Sequence, residues 1–186
     1  MSPEQKFFIK ESVMAAMGAN AEVICYQLVA RLSLSCDQFY FLCCQGQVAA
    51  FIKDATARLV VEIAKREWPQ QWPTMLQELD ALCGKGESQT ELVMLVMLRL
   101  AEDVVLLQTL EQQQRRKEIH AALVAHMEQI FAFLLQLLEK HYKAYAAASS
   151  APAGQGGHCK ACQAVLATFT AFVEWSAIQH TMANDK

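Results

Sequence analysis

The sequence predicts an all-α fold, a segment of an α-solenoid built from stacked antiparallel helix pairs. Three features point there: the composition, one tight corner, and helices that are apolar on more than one side. Hydrophobic residues make up 54% of the 186 positions, with only 7 Gly and 4 Pro, which suits helices rather than a loop-rich β fold. The corner is KREWPQQWP, Lys65 to Pro73. Pro69 and Pro73 lack the N–H that a helix interior needs, and each biases the Trp before it away from the α region. One helix therefore ends near Glu67 or Trp68, and the next starts with Pro73 in its first turn. Trp68, Pro69, Trp72 and Pro73 form a structural corner, with the two rings suited to clamping an antiparallel pair of helices rather than to holding a ligand.

The elements follow in order. Glu4–Met17 is a short amphipathic helix, the end of a partial repeat spanning 1–20. Residues 21–50 form an atypical insert holding Cys25, Cys36, Cys43 and Cys44, without clean periodicity, and its removal is expected to leave the rest folded. Over Phe51–Glu67 an apolar stripe of Ile52, Leu59 and Ile63, widened by Val60 and Val61, faces inward. Asp54, Arg58, Glu62 and Arg66 alternate in sign on the other side and read as a solvated face. Pro73–Cys83 buries Met75, Leu76, Leu79 and Leu82 and stops at Gly84 and Gly86. Ser88–Gln108 is apolar nearly all round, as expected of a helix covered on both flanks. Glu111–Tyr145 reads as one long helix whose core positions are Ile119, Leu123, Met127, Phe131 or Ile130, Leu134, Leu138 and Tyr142. The small-residue run 146–157, AAASSAPAGQGG, reads as a flexible loop. A last helix covers about Cys159–Met182. Helix pairs thus begin near residues 51, 88 and 158. The first step of about 38 residues is close to the ~40–47 of HEAT or armadillo units. A closed bundle of six or seven helices satisfies the same pattern.

Charge and chemistry narrow the function. The formal charge of −3 gives no global basic field for nucleic acid. No charge-free apolar window of about 20 residues is present, so no membrane span is expected, and the N-terminus lacks a signal-peptide profile. Seven Cys without framework spacing read as reduced thiols of the cytosol or nucleus. There is no P-loop, nucleophile elbow or HExxH, so neither an enzyme nor a cofactor is expected. Glu102 and Asp103 diverge by about 100° around a helix and cannot act as an acid–base pair. His120 and His126 share no face and read as polar surface residues. The nearest approach to a metal set, His158, Cys159 and Cys162, has no second ligand cluster to complete the four ligands of a closed zinc site, and none is assigned.

The stretch KREWPQQWPTMLQELDALCGKGESQTELVMLVMLRLAEDVV, Lys65 to Val105, resembles the exportin-1-like region near the N-terminus of nuclear exportins, HEAT-repeat members of the importin-β (karyopherin) family. IKDATARLVVE at Ile52–Glu62, QRRKEI at Gln114–Ile119, MEQIFAFLL at Met127–Leu135 and FVEW at Phe172–Trp175 agree with it. ESQTELVM and LRLAEDVV are most similar to the branch that exports microRNA precursors. Those receptors are several times longer, so this chain corresponds to an N-terminal fragment, and the insert has no counterpart in them. The resemblance implies a receptor that binds Ran in its GTP form and double-stranded RNA cargo, passes the pore by contacts with nuclear pore proteins, and shuttles between nucleus and cytoplasm. Ran is implied on the concave surface lined by the second helix of each pair, here Pro73–Cys83 and Glu111–Tyr145. RNA is read through phosphates, 2′-hydroxyls and A-form shape. The cations available as a partner surface are Lys85, Arg115, Arg116 and Lys117, so most RNA affinity is expected in repeats outside this chain. Two alternatives stay open, a HEAT-repeat scaffold or regulatory subunit without transport function, and a small metal or redox helical protein.

Overall fold

The computed structural model describes residues 3–18, 47–106, 110–147 and 152–183. Among them the secondary structure is helical throughout: α1 (Pro3–Gly18), α2 (Gln47–Glu67), α3 (Met75–Cys83), α4 (Glu87–Leu106), α5 (Leu110–Ala125), α6 (Met127–Ala147) and α7 (Pro152–Ala183). Most of the insert, residues 21–46 of 21–50, lies outside the described part. Its last residues belong to α2, which starts at Gln47 rather than Phe51.

The helices stack in register. Lys53 Nζ reaches Glu91 Oε2 at 2.5 Å and Lys65 Nζ reaches Asp103 Oδ2 at 2.8 Å, each pair 38 residues apart. The same offset near the start and the end of both helices means that α2 and α4 run parallel. Parallel stacking of equivalent helices at a fixed sequence step is the geometry of a repeat solenoid. α7 continues the layer: Glu87 lies against Gly157 near the start of α4 and α7, and Thr168 Oγ1 donates to Met94 O at 3.1 Å further along both. The second layer holds α3 and the α5–α6 segment. The latter runs antiparallel to α7, with Phe131 beside Phe169 at 5.2 Å and His120 beside Trp175 at 5.1 Å.

α4 organises this arrangement because it is apolar on nearly every side. Leu92, Val93, Met94, Val96, Met97, Leu100, Ala101 and Val104 are all buried, and α2, α3 and α7 each pack on it. α2 and α3 both pack on α4, and Trp68 and Trp72 join the same buried core. α1 adds Val13 and Met17 to the core against α2 and α4. No single helix among the described residues is long and apolar enough to cross a membrane.

Three local expectations are corrected. Glu111–Tyr145 is not one helix: α5 and α6 meet at 61° around His126. The His126 ring places Nδ1 2.8 Å from Ala122 O, and the His126 N–H divides between Ala122 O and Leu123 O, both at 3.2 Å. A side chain competing for the carbonyl four residues back is a known cause of a kink. The buried stripe also differs from the expected one, although it stays on one helical face across the bend. After Ile119 and Leu123 it continues through Ile130, Leu134, Leu137 and His141, leaving Tyr142 64% exposed. Finally, the segment read as a loop over 146–157 is helical through Ala147 and again from Pro152, while 148–151 lie outside the described residues. Pro152 opens α7 where a missing N–H costs nothing. At Gly157 an added Cβ would meet Glu87 Cγ at 2.7 Å, so this glycine permits α7 to approach α4.

Candidate functional site

The corner is the best-built polar and aromatic assembly in the chain. α2 stops at Glu67 because Pro69 cannot continue it, and the Trp68–Pro69 peptide is cis. Trp68 N–H donates to Ala64 O at 2.9 Å and Gln71 N–H to Glu67 O at 2.7 Å, closing the final turns. Thr74 precedes α3, its hydroxyl donating to Glu78 Oε1 at 2.5 Å. Trp68 and Trp72 are each 1% exposed. The Trp68 ring stands 6.2 Å from His126 at the α5–α6 bend, and Lys10 Nζ of α1 lies 5.5 Å from the centre of the Trp72 ring.

Arg115 of α5 reaches across to this corner. Its guanidinium donates to Lys65 O at 2.7 Å, to Trp68 O, to Gln70 Oε1 and to Glu118 Oε2 at 3.0 Å. A helix C-terminus leaves its last carbonyls without intrahelical donors, and a planar five-donor group is suited to several of them at once. The reach of Arg115, nearly 50 residues along the chain, is a tertiary role that the basic run QRRK did not signal. Of the other cations read as a partner surface, Lys85 and Lys117 are exposed, and Lys85 Nζ lies over Gly18 of α1. Arg116 is half-buried beside Arg115 on α5.

The charged row on α2 is more than a solvated face. Asp54 accepts from Arg58 at 2.8 Å and from Arg99 of α4 at 3.1 Å, and Arg99 also reaches Glu102 at 2.9 Å. Hydrogen bonding from Arg58 first, then Arg99, outweighs desolvation and holds the Asp54 carboxyl below its usual range. Lys65 lies between Glu62 at 2.5 Å and Asp103. Burial opposes its charge, but hydrogen bonds to Asp103 and Glu62 win and raise its pKa. Glu102 and Asp103 thus serve separate partners.

Among the described residues the thiol and imidazole groups stand in separate surroundings. Cys83 is buried, and desolvation pushes its pKa up to about 12, far from a usable thiolate. Cys162 is shifted upward by burial and by Cys159, which is itself exposed. His158 directs Nδ1 to His141 Nδ1 at 3.1 Å. Among the described residues no three His, Cys, Asp or Glu side chains gather as a metal cluster. His120 and His126 pack against Trp175 and Trp68 instead of standing as polar surface residues.

In the second layer, a groove of about 170 Å³ opens between α3 and α6, lined by Leu76, Gln77, Asp80, Gln129, Ile130 and Phe133 among others.

A model of the family described as "Exportin 1-like protein" matches residues 49–186. The chain belongs to the exportin 1-like family. This exportin-like chain is 45% identical to human Exportin-5 over 137 residues, 72% of its own length but 11% of that relative. Mouse Exportin-5 matches to the same extent, and Protein HASTY 1 of Arabidopsis thaliana is 32% identical over 93 residues, half of this chain and 8% of the plant protein. The match begins at the start of α2, so the exportin-like region takes in the α2–α4 charge ladder, the Trp-Pro corner and the α3–α6 groove.

Proposed function

We propose that this chain is part of a nuclear export receptor that shuttles between nucleus and cytoplasm, binding Ran in its GTP form together with structured RNA of the microRNA-precursor class. The observation that carries the reading is 45% identity to Exportin-5 on a scaffold of parallel helices stacked at a 38-residue step. The chain acts by binding, not by catalysis, and needs no cofactor. Ran-GTP occupies the second-layer surface around the α3–α6 groove. The chain supplies little of the RNA contact: Arg115 is engaged at the corner, leaving Lys85 and Lys117 as exposed cations of the expected set. Pore proteins complete the list of partners, through surfaces outside this chain.

Titrating labelled Ran, loaded with GDP or with a non-hydrolysable GTP analogue, against the 186-residue chain tests this. Weak binding that prefers the GTP form and weakens further in Asp80→Lys is expected; equal binding of both forms would instead favour the HEAT-repeat scaffold without transport function. A hairpin RNA with a short 3′ overhang should bind weakly through a few phosphate contacts and with strong salt dependence, so that binding is lost as salt rises. Tight RNA binding that survives high salt would place the RNA site within these repeats.

A further inference from the structure

His141 of α6 is 2% exposed and uses both ring nitrogens. Its Nε2 lies 3.0 Å from Thr90 Oγ1 of α4, and its Nδ1 lies 3.1 Å from Nδ1 of His158 on α7. Thr90 is completely buried, with its hydroxyl 3.0 Å from Gly86 O and 3.4 Å from Cys83 O. Carbonyls can only accept, and a hydroxyl has one proton to give. Thr90 therefore donates to a carbonyl and accepts from His141 Nε2–H. A neutral His141 protonated at Nε2 carries a lone pair on Nδ1, so His158 must present an Nδ1–H to it. One proton fits between the two Nδ1 atoms; two would set N–H against N–H.

We propose that His141 and His158 form a single-proton latch joining α4, α6 and α7, closed while His141 is neutral and opened when His141 takes up a second ring proton. A proton added at His158 Nε2 leaves the latch closed, because Nδ1–H still donates. The surroundings favour neutral His141. Burial comes first, then Lys140 on its own helix and His158 on α7, and together they lower its pKa from the ordinary 6.5. Glu87 of α4, which lies against Gly157, acts in the opposite sense. The Cys83 thiol at the end of α3 is held protonated and adds no charge. Because the folded state binds fewer protons at His141 than the unfolded chain, the stabilisation is complete above about pH 6.5 and declines as pH falls below it. The seam that loosens is the one between α6, in the layer assigned to Ran, and α7 in the parallel layer.

The test uses the full 186-residue chain. Nitrogen-15 spectra of the imidazoles at pH 7.5 should show His141 as the Nε2–H tautomer and His158 as the Nδ1–H tautomer. Two Nε2–H tautomers would overturn the latch. Urea unfolding at pH 7.5 and 5.5 should show a midpoint that falls with pH in the wild type. In His158→Ala the midpoint should be lower at pH 7.5 and should fall less with pH than in the wild type, since burial and Lys140 still disfavour a charged His141 but no Nδ1–H opposes its second ring proton. An equal drop with pH in both proteins would mean that His158 is only a packing residue, and would reject the proposal.

Discussion

Lys65 on α2 and Asp103 on α4 meet at 2.8 Å with the sequence spacing that also separates Lys53 from Glu91. The two bridges hold parallel helices in one register, so they report on stacking of neighbouring repeats rather than on either helix alone. Both partners of the Lys65 bridge are partly shielded, at 16% and 34% side-chain exposure. Lys65→Met and Asp103→Asn should each lower stability by roughly 0.5–1.5 kcal/mol, the double variant losing less than the sum. A double-mutant cycle in urea measures the coupling. Since the folded-state pKa of Lys65 is raised, its contribution holds below about pH 10.5 and is lost as pH climbs beyond that.

Arg115→Ala removes the donor that satisfies Lys65 O and Trp68 O, and should cost about 1–3 kcal/mol. Arg115→Lys should recover little of it, because one ammonium cannot span the same fork of acceptors. Trp68→Ala, which empties a fully buried site beside His126, should cost about 3–5 kcal/mol. Calorimetric unfolding of the three variants ranks them.

Thiol labelling should separate the cysteines of the described region by environment. Cys159, exposed, should react first at pH 8, and Cys83, with a pKa of about 12, should react only as the chain unfolds. Site-resolved mass spectrometry over a time course reads this directly, and fast labelling of Cys83 in the folded protein would contradict its burial.

Acid should weaken the chain in two stages. The first, below about pH 6.5, belongs to His141, whose pKa is depressed. The second comes from carboxyls held below their usual range, Asp54, Glu118 and Glu139: the Asp54 contribution is present above about pH 3.8 and lost as pH falls lower. Asp54→Asn should blunt the second stage and leave the first unchanged in a pH series of urea midpoints.

Local signals in the sequence determined the helical class, the end of α2 at Glu67 and the step between repeats. Each rests on short-range causes: proline at Pro69 forbids continuation, and apolar periodicity demands one covered face, although the face α2 buries runs through Ile52, Ala57, Val60, Val61 and Ala64 and leaves Leu59, expected inside, 47% exposed. The Trp-Pro corner was legible for the same reason. Tertiary structure decided what those faces meet. His141 rather than Tyr142 lies inward, where Thr90 of α4 and His158 of α7 meet its ring nitrogens, and a count of apolar positions does not register a buried polar residue. The small-residue segment from Pro152 is helical although its composition alone favours a loop, and at Gly157 it passes close to Glu87 of α4. Arg115 looked like a free cation for a partner, yet besides Glu118 and Gln70 its acceptors include the backbone carbonyls of Lys65 and Trp68, about 50 residues away. Backbone acceptors carry no side-chain identity, so their pairing with a distant arginine leaves no trace in the sequence and exists only once α5 is laid over the corner.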